Sequence, residues 1–250
     1  MSENKRIIII GATSSIAEHC ARLWSQHPNV ELVLVGRNKN KTQQIADDLR
    51  VRNPKILIQV LETNFIEPAA IQQTIQHIAN QGEIDTVLIA HGSLPDQTAC
   101  QQDLTLCQEA LNINGISPVL FAEAFANVME KANKGTLAII GSVAGDRGRK
   151  SNYVYGSAKG MVTRYAQGLQ HRLANTNVKV VLIKPGPTDT PMTAHLKQQG
   201  AKLANVENVA KQIVNGINQG KRQIYTPTKW ALIMLFIRHL PEVIFNKINI

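Results

Sequence analysis

The sequence is short of aromatic residues and cysteines and has no long apolar run, and each shortage removes a class of function. Aromatics make up 4% of the 250 residues, too few for an RNA-binding face that stacks bases on several rings. The three cysteines, Cys20, Cys100 and Cys107, are odd in number and form no CxxC pair. That argues against a disulfide framework or a structural zinc site and for a reduced, cytoplasmic compartment. The seven histidines lack HxxxH or HExxH spacing, so no metal site is expected. The apolar run Trp230–Ile237 is eight residues long, far below the ~20 that cross a bilayer as a helix. The opening MSENKRIIIIG has only four apolar residues in its stretch and no cleavage-site pattern, so it reads as a first strand and not as a signal peptide.

Positive charge, by contrast, is plentiful: 27 basic residues oppose 18 acidic ones, a net +9. Such a surplus points to nucleic acid, anionic lipid or a phosphorylated ligand. The Lys and Arg residues are scattered, which suits solvated helix faces better than a DNA-reading stripe, and no nucleic-acid partner is expected. With 44% hydrophobic and 18% charged residues, the chain is neither disordered nor a polytopic membrane protein.

Short Ile/Val/Leu runs alternate with longer amphipathic stretches along the whole chain. Strands are expected at Lys5–Gly11, Val30–Gly36, Lys55–Leu61, Thr86–Ala90, Thr136–Gly141, Val178–Ile183 and Gln223–Thr226. Their consecutive apolar residues fit strands covered on both faces. Helices are expected at about Ser15–Gln26, Asn40–Arg52, Pro68–Gln81, Gln97–Ala132, Tyr153–Ala174 and Asn205–Gln219. This alternation specifies an α/β fold: one Rossmann-like, doubly wound domain over residues 1–250, with about seven parallel strands and helices on both faces. Residues 228–250 form an apolar and basic extension.

The first strand runs directly into Gly11-Ala12-Thr13-Ser14-Ser15-Ile16-Ala17, followed by a helix pattern. A tight strand-to-helix turn presents backbone N–H groups and the helix dipole to a pyrophosphate. Ser15 stands where a close-approach glycine is usual, and its hydroxyl can cap the helix or donate to a phosphate. The second strand ends in Arg37, with Lys39 and Lys41 beyond it and no acid at the position that tests the adenosine ribose. An arginine there pairs with the 2′-phosphate of NADP, so NADP(H) is expected in preference to NAD(H).

Tyr155 and Lys159 stand four apart on one helix face. A phenol has a pKa of about 10, and a nearby ammonium favours its ionised form. Ser142 lies just beyond the strand Thr136–Gly141, and Asn112 lies within Leu111-Asn112-Ile113-Asn114-Gly115. In order and spacing, Asn112, Ser142, Tyr155 and Lys159 resemble the catalytic tetrad of the short-chain dehydrogenases/reductases. The likeness extends over roughly residues 5–195 and takes in Pro185-Gly186-Pro187-Thr188-Asp189-Thr190. It departs from the family at the first turn, which keeps one glycine of three, and at Ile89-Ala90-His91-Gly92, where Asn-Asn-Ala-Gly is usual. Asn64 stands where an aspartate usually meets the adenine.

This resemblance implies an NADP-dependent oxidoreductase acting on CH–OH groups, interconverting a secondary alcohol and a ketone. Tyr155 would exchange the proton, Ser142 would orient the substrate oxygen, Lys159 would lower the tyrosine pKa and hold the nicotinamide ribose, and Asn112 would position a water linking Lys159 to solvent. Cofactor contacts would come from Gly11, Thr13, Ser14, Ser15 and Ile16 at the first turn, and from Arg37 and Asn64 at the adenosine end. Ala90, Gly92, Tyr155 and Lys159, then Pro185, Gly186, Thr188 and Thr190, would complete them. His91 reads as a structural or ribose-side contact.

A closer likeness covers the second half. The stretch Ser142 to Ser157, Met192-Thr193-Ala194-His195-Leu196-Lys197 and the ending Ile237-Arg238-His239-Leu240-Pro241 are similar to the reductases of decaprenylphosphoryl-ribose 2′-epimerization. That likeness implies a phosphorylated or prenyl-linked keto sugar as substrate; a small keto or 3-oxoacyl substrate is the alternative, and a non-catalytic NADP-binding scaffold or sensor is a third reading. Asp146-Arg147-Gly148-Arg149-Lys150 lies between the serine and the tyrosine, where a loop borders the substrate. Arg147 or Arg149 is therefore expected to receive an anionic group. Residues 229–247 are either a peripheral membrane contact, flanked by Lys229, Arg238 and Lys247, or a subunit interface or pocket cap. Family likeness implies a homodimer or homotetramer. The expected compartment is the cytoplasm, at the inner face of the membrane if residues 229–247 dock there.

Overall fold

Four consecutive isoleucines, Ile7 to Ile10, show how the chain builds two cores at once. In the computed structural model, which describes residues 4–248, they lie in β1 (Lys5–Ile10). Alternate side chains of a strand point to opposite faces. Ile8 and Ile10 accordingly pack into one apolar cluster, and Ile7 and Ile9 into the other.

The remaining strands are β2 (Val30–Gly36), β3 (Leu57–Glu62), β4 (Thr86–Ile89), β5 (Thr136–Ile140), β6 (Lys179–Pro185) and β7 (Gln223–Thr226). All neighbouring pairs are parallel, in the order β3-β2-β1-β4-β5-β6-β7. The expected doubly wound α/β architecture and strand number therefore hold. One face is covered by α1 (Ser15–Trp24), α2 (Lys39–Arg52) and a later helix, Val206–Asn218, through Cys20, Trp24, Leu49 and Ile213. The other face carries α3 (Pro68–Asn80) and two further helices, with Ile75, Phe121, Phe125 and Leu169 in the core.

The expected helix Gln97–Ala132 is broken into pieces. These are α4 (Gln97–Gln102), α5 (Leu104–Leu111), a π-helical turn at Asn112–Ile116 and α6 (Ser117–Ala132). Asp103 takes an extended backbone, and its carboxylate caps α5 by accepting from the Thr105 N–H. Pro118 has no N–H to offer the carbonyl four residues back, so regular α-helical bonding fails there. The Ser117 N–H reaches instead to the Asn112 carbonyl, five residues away.

The long α7 (Tyr153–Arg172) follows β5. The short α8 (Ala194–Gln198) and α9 (Val206–Asn218) then lie between β6 and β7. After β7 come α10 (Lys229–His239) and α11 (Glu242–Phe245). Among the described residues no helix is long and apolar enough to cross a membrane. The expected domain span 1–250 and extension 228–250 both reach residues outside those described.

In the sheet order the chain reverses direction between β1 and β4, so the connections beyond their carboxyl ends diverge and leave a crevice.

Candidate active site

That crevice is a cavity of about 730 Å³ lined from both sides of the reversal. From β1 comes the turn at Gly11, whose φ of +81° lies in the left-handed region that favours glycine. A Cβ at Gly11 would also stand 2.7 Å from the backbone nitrogen of His91. Thr13, Ser14, Ser15 and Ile16 line the cavity where α1 begins. Ser14 occupies the N-cap position, one residue ahead of the expected Ser15, and its side chain makes no capping bond. Arg37 and Lys41 form the cavity wall past β2, whereas Lys39 lies outside it. Arg37 is exposed and has no ion-pair partner among the described residues.

Past β4, Ala90, His91 and Gly92 line the cavity. The His91 ring meets Phe65 and Phe121 edge-on, with centroids 4.7 and 5.5 Å apart. The Ser117 hydroxyl donates to the Phe65 carbonyl, so at its 2.8 Å contact with His91 Nε2 it must accept. His91 Nε2 therefore carries the ring proton. Burial, with Lys159 and Arg37 nearby, holds the pKa of His91 well below the usual histidine range. It is a neutral packing group and not an acid or base. At Gly92 a Cβ would stand 2.8 Å from Asn114 Oδ1, so Asn114 would have to shift, and at an ordinary contact of 3.6 Å from Lys159 Nζ.

Ser142, Tyr155 and Lys159 line the same cavity. Ser142 Oγ accepts from the Ala144 N–H at 3.1 Å, which leaves its own proton free to donate. Lys159 is buried, donates from Nζ to the Ile140 carbonyl at 3.1 Å, and lies 5.8 Å from the Tyr155 ring centroid. Burial pushes the Lys159 pKa down to about 8. The expected lowering of the tyrosine by that lysine is not what the protein's own groups produce: burial raises the Tyr155 pKa, and the Ser142 hydrogen bond opposes it.

The expected asparagine needs correction. Asn112 is outside the cavity wall, and Asn114 is inside it, fully buried. Asn114 Oδ1 accepts from the Ser93 N–H at 2.8 Å, and its Nδ2 donates to the Ala110 carbonyl at 2.9 Å. The π-helical turn supplies the physical reason. It widens the helix where Pro118 interrupts it, and the side chain turned toward β4 is the second asparagine, not the first.

Two further expectations also change. Asn64 is exposed and outside the wall; its Oδ1 accepts from the Ile66 and Glu67 N–H groups at 2.9 and 3.2 Å, so it caps a turn. Arg147 points away from the cavity. Its Nη1 donates to the carbonyls of Ile237 and Leu240 beside the end of α10, and its guanidinium lies 3.7 Å from the Phe245 ring centroid. Arg149 does line the cavity, beside Asn152, which sequence reasoning missed.

Pro185 at the end of β6 and Gly186, Thr188 and Thr190 after it line the cavity, with Met192 and Leu196 beyond them. At Gly186 a side chain would run into the Trp230 indole at the start of α10. Gly-lined walls, an open helix N-terminus and an exposed arginine form a donor set that fits a dinucleotide lying across the crevice.

A family model described as short chain dehydrogenase matches residues 5–201. Over 244 residues the chain is 29% identical to an uncharacterized oxidoreductase of Mycobacterium tuberculosis, covering 96% of each protein. Two solved structures share the fold. A short-chain dehydrogenase from Sphingobium yanoikuyae in complex with NADPH superposes with a TM-score of 0.81 at 19% identity, covering 98% of this chain and 96% of that one. The bulky-bulky ketone specific alcohol dehydrogenase from Comamonas testosteroni gives a TM-score of 0.80 at 20% identity, covering 98% and 95%. Matched by the family model over most of its length, the chain belongs to the short-chain dehydrogenases/reductases, a family of oxidoreductases.

Proposed function

We propose that this protein is an NADP(H)-dependent reductase that converts a ketone to a secondary alcohol. The observation that carries the reading is one cavity with Ser142, Tyr155 and Lys159 on one wall and Arg37 at the other end. Gly11, Thr13, Ser14, Ser15 and Ile16 would hold the pyrophosphate, and Arg37 with Lys41 the 2′-phosphate. Ala90, Gly92, Pro185, Gly186, Thr188 and Thr190 would hold the nicotinamide half. The Sphingobium relative was solved with NADPH, which supports the choice of cofactor.

When bound, the reduced cofactor supplies the hydride to the carbonyl carbon. Tyr155 donates its phenolic proton to the substrate oxygen as charge develops there. Its raised pKa keeps the phenol protonated at neutral pH, which suits the reduction direction. Ser142 donates its hydroxyl proton to the same oxygen, in place of its bond to Tyr155, and orients it. Lys159, whose pKa of about 8 leaves it mainly an ammonium at neutral pH, stabilises the tyrosinate and returns a proton to it. Asn114, which stands in the cavity wall in place of the expected Asn112, fixes the loop after β4 beside that ammonium.

The substrate we infer is a keto sugar, phosphorylated or prenyl-linked. Exposed Leu104, Leu106, Ile116 and Met161, on α5, the π-helical turn and α7, offer a face for a homodimer or homotetramer. The C-terminal helices leave Leu232, Leu235, Phe236, Val243 and Ile244 exposed, with Phe236 at 64% and Val243 at 72%. With Lys229, Arg238 and Lys247 beside them, they suit peripheral contact with an anionic membrane surface from the cytoplasm. Side-by-side fluorescence titration with NADPH and NADH, followed by a screen of keto sugars for NADPH consumption, tests the reading. Tight NADPH and weak NADH binding with turnover supports it, and binding of neither sinks it.

A further inference from the structure

The cavity holds a cation that the cofactor does not account for. Arg149 follows β5, whereas Arg37 follows β2. In the sheet these strands are separated by three spacings, or about 14 Å, so the loop that carries Arg149 leaves the sheet well away from the strand end that carries Arg37.

Its surroundings leave it without a direct ion pair among the described residues. Arg149 Nε is buried with no hydrogen-bond partner. The carboxylate that acts on it electrostatically, Asp146, is already committed. Its Oδ1 accepts from Lys184 Nζ, and its Oδ2 accepts from the Tyr225 hydroxyl at 2.7 Å. The guanidinium is only partly buried, but its Nε is cut off from water, and a donor left unmade in this way is satisfied when an anion arrives. Desolvation already works against the charged form of this arginine.

The loop that carries Arg149 is anchored on both sides. Asp146 ties it to β6 and β7, and Arg147 ties it to α10 and Phe245. The Asn152 N–H donates to the Arg149 carbonyl at 3.1 Å, closing the turn into α7. A guanidinium held in place by such a loop loses little freedom on binding a ligand.

We propose that Arg149 forms an anion subsite that reads a phosphate group on the keto substrate. The proposal rests on the reading of this cavity as a reductase site and adds the residue that selects a phosphorylated substrate over a neutral one. Planar, forked N–H groups match a phosphate ester better than a hydroxyl, and the subsite discriminates against neutral ketones.

The test uses the NADPH-loaded protein and two pairs of probes that differ only in the phosphate: dihydroxyacetone phosphate against dihydroxyacetone, and farnesyl phosphate against farnesol. Calorimetric affinities should favour the phosphorylated member of a pair by roughly tenfold to a hundredfold. Arg149→Ala should erase that preference, Arg149→Lys should keep part of it, and NADPH affinity should stay as in the wild type. A preference confined to the farnesyl pair identifies a lipid-linked phosphate, and one seen with the dihydroxyacetone pair a soluble sugar phosphate. Equal affinities in the wild type, or a preference that survives Arg149→Ala, overturn the proposal. So does a loss of NADPH affinity in that variant, which would make Arg149 a cofactor contact. Should the wild type bind no NADPH, the reductase reading falls, and the same comparison on the protein alone judges the subsite.

Discussion

Replacing Asp146 by Asn would test the anchor beneath the substrate loop. The carboxylate and the Lys184 ammonium are each 2% exposed and paired with one another, and the Tyr225 hydroxyl donates to the second carboxylate oxygen. Asn keeps the shape and one acceptor oxygen but removes the charge. Lys184 would then be a buried ammonium facing the Tyr225 ring 5.4 Å away, with Arg238 and Arg164 still repelling it. Removing one member of a buried pair costs about 3–5 kcal/mol, because the other charge is left desolvated and unmatched. In a domain of this size each kcal/mol lowers Tm by about 2–4 °C, so Asp146→Asn should melt about 6–20 °C below the wild type. Differential scanning calorimetry measures this directly. The double variant Asp146→Asn, Lys184→Met removes the orphaned charge and should recover much of the loss. A single variant within about 2 °C of the wild type, or a double variant no more stable than the single one, would refute the reasoning.

Other consequences can be read from the same geometry. Arg37→Ala should weaken NADPH binding by about 10- to 150-fold, the loss of one charge-assisted hydrogen bond, and leave NADH binding nearly unchanged in parallel titrations. Asn114→Ala removes the hydrogen bonds to the Ser93 N–H and, in the buried interior, to the Ala110 carbonyl, and should reduce turnover together with about 1–3 kcal/mol of stability. Asn112→Ala should stay within about 0.5 kcal/mol of the wild type by urea denaturation and keep its activity. The rate of reduction should fall above a pH of about 8 as Lys159 loses its proton, and a pH–rate profile shows whether that limb exists. The same group has a sign for stability. Its pKa is lower folded than unfolded, so between about 8 and the ordinary lysine value the unfolded chain binds more protons, and stability should rise with pH across that window.

The strands were legible because burial on both faces demands unbroken apolar runs. Ile7–Ile10 and Leu32–Val35 admit few other interpretations, and the strand ends shift by only one or two residues. Tyr155, Lys159 and Ser142 were legible for a similar reason, since helical spacing and a strand end fix their placement. Asn114 was not. Two asparagines lie two apart before Gly115, and only a break in helical bonding decides which one turns inward; Pro118 was the available clue. Arg147 and Arg149 have the same chemistry in one short loop, and their separation depends on distant partners. Arg147 is held by carbonyls 90 and 93 positions along the chain, and no local pattern encodes that.

The most direct measurement of the central claim is Tyr155→Phe, assayed twice, for NADPH binding by fluorescence and for turnover of the keto substrate found in the screen. Removing one hydroxyl from the cavity wall should leave NADPH affinity close to that of the wild type and cut turnover by about 10²–10⁴-fold, the usual worth of a positioned proton donor. A variant that binds NADPH and reduces the substrate at the wild-type rate would contradict the account.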